Sequence, residues 1–166
     1  MSIVYVNLIG GQDELVFDGG SMVVDRNGKC VVNAPEYQSG LYPVDFNCDS
    51  GCVPIPQTLY PELSLEARVY NALVLGVRDY VNKNGFKSIV LGLSGGIDSA
   101  VTLAVAVDAI GKDRAHAVMM PFKYTASMSM EDAKLEADAL GVSYKVLPIE
   151  PMYDAFMLTL EDEFAG

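Results

Sequence analysis

Positive charge is scarce in this chain. Eleven Lys and Arg face twenty-two Asp and Glu over 166 residues, a net charge of −11. Binding to nucleic acid or to a membrane surface needs clustered Lys and Arg, so neither partner is expected. Cysteine is scarce too, with only Cys30, Cys48 and Cys52. Cys48 and Cys52 have three residues between them and no second ligand pair, and His116 is the single histidine, so a zinc site is not expected. No long hydrophobic run is present. The longest, Ala100 to Ile110, is broken by Thr102 and Asp108 and is too short to span a bilayer. The start, Met1-Ser-Ile-Val-Tyr-Val-Asn, lacks the basic beginning and apolar core of a secretory signal. A reducing, cytoplasmic setting is therefore the expectation. Internal repeats and low-complexity tracts are absent. What the chain does have is apolar content, 51% of its residues, enough to bury a core.

Two regions differ in character. Residues 3–9 are apolar and β-branched and read as a buried strand, with a turn at Gly10-Gly11. Residues 14–17 make a short strand. Residues 21–25 and 29–33 flank Arg26-Asn27-Gly28, a hairpin signal because Asn and Gly both tolerate positive φ. Residues 47–63 hold Pro54, Pro56 and Pro61 and read as a linker, since such a stretch is neither helix nor central strand. From Ser64 the period changes. Leu65, Val69, Leu73, Val77 and Tyr80 recur at helical spacing, with Ser64 as a cap and Gly85 beyond the end. Strands over 88–93, 115–120 and 142–149 then alternate with helices. The first helix starts at Asp98 or Ser99 and is apolar on nearly every face. The second runs from Ser129 to Leu140, with Ser129 and Asp132 as a capping-box-like pair and Gly141 as its stop. The third starts at Glu150. This alternation predicts an α/β fold with a parallel sheet buried on both faces.

The chemistry points to one loop, Leu91-Gly92-Leu93-Ser94-Gly95-Gly96-Ile97-Asp98-Ser99. It joins the first parallel strand to its helix, at the sheet edge where open α/β folds bind ligands. Gly95 and Gly96 allow a sharp turn and a close backbone approach. Successive N–H groups there and at the helix start form a nest for an anion. Ser94 and Ser99 carry hydroxyls able to donate further bonds. A bare carboxylate at Asp98 would repel a phosphate, so it makes sense as the ligand of a magnesium ion bridging to phosphate. The loop lacks the Lys of a Walker-type P-loop and the three-glycine spacing of a dinucleotide fingerprint.

This Ser-Gly-Gly-Ile-Asp-Ser loop resembles the pyrophosphate loop of the ATP pyrophosphatase superfamily. The flanking residues Tyr70 to Tyr80, Leu91 to Ala100, and Met120-Pro121-Phe-Lys-Tyr124-Thr125 with Ser129 resemble the synthetase domain of glutamine-dependent NAD synthetases. The run from Tyr5 to Ser21 is similar to the late part of their nitrilase-like glutaminase domain. The resemblance implies a Rossmann-like, adenine nucleotide α-hydrolase-like domain over 64–166. It implies the C-terminal part of a nitrilase-like domain over 1–46 and a linker over 47–63. It further implies ATP and Mg2+ as cofactors, with ATP or its pyrophosphate held by Gly92, Leu93, Ser94, Gly95, Gly96, Ile97, Asp98, Ser99 and Lys123, and the metal by Asp98. Deamido-NAD and glutamine-derived ammonia are the implied substrates, and a homo-oligomer the implied assembly. In the family the Cys, Glu and Lys of the glutaminase lie upstream of the segment resembled, and later segments complete the dinucleotide site. None of Cys30, Cys48 and Cys52 stands at the nucleophile's position, so no catalytic residue is assigned, and the chain reads as an internal piece or a shortened relative.

Other residues carry weaker expectations. Lys123 is placed to reach a phosphate as a point charge, or to be a solvated loop lysine. Tyr124, Thr125 and Ser129 match the family's pattern but equally suit turn and cap chemistry. His116 reads as a packed or edge-strand residue. Asp13 and Glu14 receive no role. Two rival readings remain: an RNA-modifying ATP pyrophosphatase, which the charge of −11 argues against, and a non-catalytic nucleotide-binding module.

Overall fold

The computed structural model describes residues 1–49 and 51–164. Ser50 of the expected linker and Ala165 and Gly166 at the end of the expected second domain lie outside the described residues. The chain divides into two compact units, Met1–Tyr80 and Val81–Gly166.

The first unit is built from short antiparallel pieces. The strands β1 (Ile3–Tyr5), β4 (Met22–Val24) and β5 (Cys30–Asn33) form one sheet in the order β1-β4-β5. A separate hairpin joins β2 (Ile9–Gln12) to β3 (Leu15–Asp18), and a two-residue ribbon joins β6 (Phe46–Asn47) to β7 (Val53–Pro54). The single strand expected over 3–9 is thus two strands. Its first half is not buried, with Ile3 and Val4 each 55% exposed. Its buried cluster is Val23, Val31 and Val32, and Ala34 and Leu75 are buried besides. The hairpin between β4 and β5 forms as expected, but only Gly28 takes a positive φ, at +83°. Asp25 rather than Asn27 organises the turn: its carboxylate accepts the N–H groups of Asn27 at 2.8 Å and Lys29 at 2.9 Å. Those bonds hold its carboxyl below the ordinary carboxylate value, the Lys29 bond being the largest cause.

Helix α1 (Leu65–Lys83) begins where Ser64 accepts the N–H of Ala67 at 3.2 Å. It ends beyond Lys83, where Gly85 (φ +72°) donates to Asn82 and Phe86 donates to Val81. On β2, Gly11 lies so near α1 that a Cβ there would sit 3.2 Å from the Gly76 Cα. The Gly11 N–H donates to Asp79 Oδ2 at 2.8 Å. Arg68 grips Glu36 with two nitrogens, Nε to Oε2 and Nη2 to Oε1, both at 3.0 Å. The Asn33 amide exchanges two bonds with the Tyr60 backbone. This last pair ties the part of the proline-rich segment beyond β7 to β5 by side-chain bonds instead of strand pairing.

The second unit contains the parallel sheet. Its strands are β8 (Ile89–Gly92), β9 (Ala115–Met119) and β10 (Ser143–Val146), in the order β10-β9-β8. Helix α2 (Ile97–Ile110) connects β8 to β9, and α3 (Ser127–Leu140) connects β9 to β10. Helix α4 (Glu150–Leu160) follows. One cluster fills the space under α2 and α3: Leu93, Leu103, Ala106, Ala115, Ala117, Ala133 and Ala137. Alanines dominate it because helices lying close on a sheet leave room for little more than a methyl group. The sheet is not buried on both faces. Val90 of β8 is 66% exposed and Val146 of β10 49%. Helix α2 is likewise buried along one side, through Leu103, Val105, Ala106 and Ala109. Its other side, including Val101, is exposed. Helix α3 stops at Gly141, which is left-handed at φ +68°. No helix among the described residues is long and apolar enough to cross a membrane.

Candidate functional site

The loop from Gly92 to Ser99 leaves the sheet in a defined way. The Leu93 N–H still donates to the Val118 carbonyl at 2.9 Å, so the ladder extends one residue past β8. The Leu93 side chain is buried, and Ser94 is exposed. Gly95 then turns with φ +79°. A Cβ on Gly95 would lie 2.1 Å from the Ser129 carbonyl oxygen. Two independent constraints therefore call for glycine: the left-handed backbone and the first turn of α3 pressed against it. At Gly92 a Cβ would lie 3.2 Å from the Met120 methyl group, so this position is also crowded.

Helix α2 starts at Ile97, one residue before Asp98 and two before Ser99, the expected starts. Its cap is Gly96, with φ −94° and ψ 156°, and no side chain bonds to its first turn as a cap. The first helical bond runs from the Ala100 N–H to the Gly96 carbonyl at 3.1 Å. The N–H groups of Ile97, Asp98 and Ser99 precede that ladder, the usual condition of a helix start and the basis of anion binding there. Asp98 is exposed in the first turn and does not cap the helix. Its carbonyl accepts the Thr102 hydroxyl at 2.7 Å, leaving the carboxylate outside that bond.

The two serines close a ring. The Ser99 hydroxyl donates to the Gly96 carbonyl at 2.9 Å. Its proton is thereby fixed, so the 3.0 Å contact between the two hydroxyls must be donated by Ser94. Ser94 Oγ in turn accepts the Gly96 N–H at 3.3 Å, and Ser99 Oγ accepts the Ser94 N–H at 3.2 Å. Both hydroxyl protons point into the loop. To donate to an anion, each must rotate away from its present acceptor.

Lys123 lies in the turn after β9, where Thr125 accepts the Phe122 N–H at 2.9 Å and Thr125 N–H donates to the Phe122 carbonyl. The Lys123 ammonium lies over three rings, 5.4 Å from Phe122, 5.3 Å from Tyr124 and 5.8 Å from Tyr153. Such cation–π contacts hold the charge without neutralising it. The sequence reading missed Tyr153, whose place in α4 gives no local sign of a partner in the 122–124 turn. Ser129 is not a helix cap: α3 begins at Ser127 after Ala126, and Ser129 meets Gly95 through its backbone. His116 sits in the central strand, not at an edge, with Nδ1 2.6 Å from the Ser143 hydroxyl. Asp13 occupies the β2–β3 turn with φ +51°. Cys30 is half-buried and donates its thiol to the Val32 carbonyl.

A parallel sheet with helical crossovers and a Ser-Gly-Gly-Ile-Asp-Ser loop at its edge defines an α/β domain of the Rossmann-like ATP pyrophosphatase type. The sequence model of the NAD synthase family matches residues 69–165, and the chain belongs to that family. It is 44% identical over 170 residues to the glutamine-dependent NAD(+) synthetase of Acinetobacter baylyi, covering 99% of this chain and 30% of that protein. The enzyme of the same name from Xylella fastidiosa is 43% identical over 166 residues, again covering 99% of this chain and 30% of the relative. Among solved structures, glutamine-dependent NAD+ synthetase from Acinetobacter baumannii in complex with adenosine diphosphate superposes with a TM-score of 0.93 and 46% identity. That match covers 99% of this chain and 31% of the other. The chain thus spans about a third of the length of the relatives it matches.

Proposed function

We propose that this chain contributes the nucleotide loop of a glutamine-dependent NAD synthetase. The reaction is adenylation of deamido-NAD by ATP, then amidation by ammonia released from glutamine, giving NAD, AMP and pyrophosphate. The observation that carries the reading is the loop from Ser94 to Ser99, intact in sequence and braced at Gly95. On this reading residues 1–46 are the end of a nitrilase-like glutaminase domain, 47–63 a linker and 64–166 the start of the synthetase domain. The working protein is a cytoplasmic homo-oligomer.

The substrate carboxylate attacks the α-phosphate of ATP, and the loop receives the leaving pyrophosphate. The N–H groups at the start of α2 face the negative charge that accumulates on it. The Ser94 and Ser99 hydroxyls turn out of their ring and donate to phosphate oxygens. Lys123, oriented by its three rings, supplies a point charge at the same sheet edge. The donor set suits magnesium: Asp98 is an exposed carboxylate, and no group of three or more His, Cys, Asp or Glu gathers among the described residues. Magnesium is commonly held by one or two carboxylates, with phosphate oxygens and water completing its shell. When bound, the ion offsets pyrophosphate charge that an acidic protein otherwise repels. None of the three cysteines takes the glutaminase nucleophile's part, and in the family later segments complete the dinucleotide site, so the 166 residues by themselves are expected to bind nucleotide without turning over deamido-NAD.

Calorimetry with ATP and magnesium tests this reading. The wild-type chain is expected to bind, and Asp98→Ala to bind roughly tenfold more weakly, about 1.4 kcal/mol. Absence of binding by both proteins would leave an inert module. Equal binding by both would remove Asp98 and the metal from the site. Formation of NAD by the isolated chain would overturn the statement that it lacks turnover.

A further inference from the structure

The sequence holds two Asn-Gly pairs, Asn27-Gly28 and Asn84-Gly85. This dipeptide is chemically labile. The glycine nitrogen can attack the asparagine side-chain carbonyl, because glycine presents no Cβ to obstruct ring closure. Both pairs are exposed, and both glycines are left-handed, at φ +83° and φ +72°. Neither has a non-neighbouring atom within 4 Å of the place a Cβ would take. Residue type and exposure therefore do not separate the two pairs. Their surroundings do.

Ring closure requires the glycine nitrogen to leave its hydrogen bond and the peptide after the asparagine to rotate. At the first pair the bonds that resist this are local. The Gly28 N–H donates to the Asp25 carbonyl at 3.1 Å, and the Asp25 N–H donates to the Lys29 carbonyl at 2.8 Å. The Lys29 N–H donates to Asp25 Oδ1 at 2.9 Å. All three lie at the tip of the hairpin between β4 and β5. At the second pair, the Gly85 N–H donates to the Asn82 carbonyl at 3.1 Å, and the Phe86 N–H to the carbonyl of buried Val81 at 3.0 Å. There the chain on either side is also held from a distance. Arg114, just before β9, donates Nη1 to Asn82 Oδ1 at 3.0 Å, Nη2 to the Phe86 carbonyl at 2.8 Å and Nε to the Lys87 carbonyl at 2.8 Å. Local bonds at an exposed tip open at little cost, whereas a segment tied to the central strand opens only with more of its unit.

We propose that Asn27 is a site of spontaneous modification, converting to aspartate and isoaspartate in the folded chain, and that the Arg114 clamp spares Asn84. The Gly28 nitrogen bonds to the Asn27 Cγ and loses its proton, and the side-chain nitrogen departs as ammonia, leaving a cyclic imide. Water adds to either carbonyl of the ring, and the C–N bond at that carbonyl breaks. The product is aspartate or, where the chain runs on through the side chain, isoaspartate. No oxidant or reductant takes part. Either product adds negative charge to a chain already at −11. The new carboxylate stands beside Asp25, whose Oδ1 accepts the residue 27 N–H at 2.8 Å, and like charges there repel. Isoaspartate also adds a carbon to the backbone of the turn. The two strands of this hairpin carry Val23, Val31 and Val32, so a loosened turn reaches the buried cluster of the first unit. The inference is independent of the nucleotide site and stands whether or not the loop binds ATP.

The test incubates the 166-residue chain at mildly alkaline pH in water labelled with heavy oxygen. Peptide mapping over time locates the label, and an isoaspartate-specific methyltransferase scores the β-linked product. In the folded wild type, residue 27 is expected to take up label several times faster than residue 84. In guanidinium chloride the two rates should converge, since the dipeptide is the same. Arg114→Ala should raise the rate at Asn84 and leave Asn27 unchanged. Asn82→Ala, which removes only one of the three clamp bonds, should raise it by less. An Asn84 rate equal to or above that of Asn27 in the folded chain would overturn the proposal. So would an Asn27 that stays intact, a difference that persists unchanged in guanidinium chloride, or an Asn84 rate indifferent to both variants.

Discussion

The two units of this chain are held together by different physics. The unit over 81–166 has a cluster in which the central strand β9 and the two crossover helices α2 and α3 share buried alanines. The unit over 1–80 has three valines at its centre and relies on polar contacts at fixed points. Those contacts are the Asp79 carboxylate on the Gly11 N–H, the Arg68–Glu36 fork and the Asn33 amide on the Tyr60 backbone. A packed core tolerates changes on its surface and fails when an interior side chain is lost. A unit pinned by polar contacts should fail gradually, pin by pin. The loop proposed to bind ligand is found in the unit with the packed core, where a rigid edge can hold backbone N–H groups in place.

The sharpest way to break this contrast is Leu103→Ala. Leu103 is fully buried, so the substitution should cost about 3 kcal/mol in urea unfolding. Val32→Ala, in the smaller cluster, should cost no more than about half of that. Equal costs would mean that the valines form a larger core than their neighbours indicate. Gly95→Ala comes next. The left-handed backbone alone carries a penalty of about 1–2 kcal/mol, and the Ser129 carbonyl must also move. Thermal melts with and without ATP and magnesium should show a lower melting temperature and loss of the ligand-induced rise. A normal melt with normal ligand response would show that the loop is not braced.

Smaller effects belong to the polar pins. Glu36→Gln should cost about 1 kcal/mol or less, because Arg68 remains partly in solvent and is screened. The effect should shrink further in high salt, and a salt-independent loss would point to packing instead. The smallest is a pH effect at Asp25. Its folded carboxyl lies below the ordinary value, so its contribution is present above that value and is lost as pH falls through the folded one. Acid titration of stability should therefore show a shallower loss in Asp25→Asn than in the wild type. Parallel titrations would show that the turn gains nothing from the charge.

Features set by neighbours in sequence were legible before the structure. Ser64 caps α1 from three residues away, Gly141 ends α3, and the strand-loop-helix order around Ser94 follows from local composition. Features set by distant partners were not. The apolar character of residues 3–5 suggests burial, yet only the sheet's layout decides which of its strands face solvent. Ser129 has the pattern of a cap, but its contact with Gly95 depends on how α3 meets a loop 34 positions earlier. The closed hydroxyl ring could not be anticipated either, because it depends on the rotamers of two serines. The cage of Lys123 needs Tyr153, which reaches it only once β10 has brought α4 alongside.

The Gly95–Ser129 contact has a consequence for how the site responds to folding. The motif ends at Ser99, but the carbonyl that fixes its shape arrives after a whole strand and the start of another helix. A ligand that selects the braced loop stabilises that later crossover by mass action, although it never touches it. The same linkage works in reverse. Local melting at the start of α3 would weaken the ligand's hold, so hydrogen exchange in the first turn of α3 should slow when a nucleotide occupies the loop.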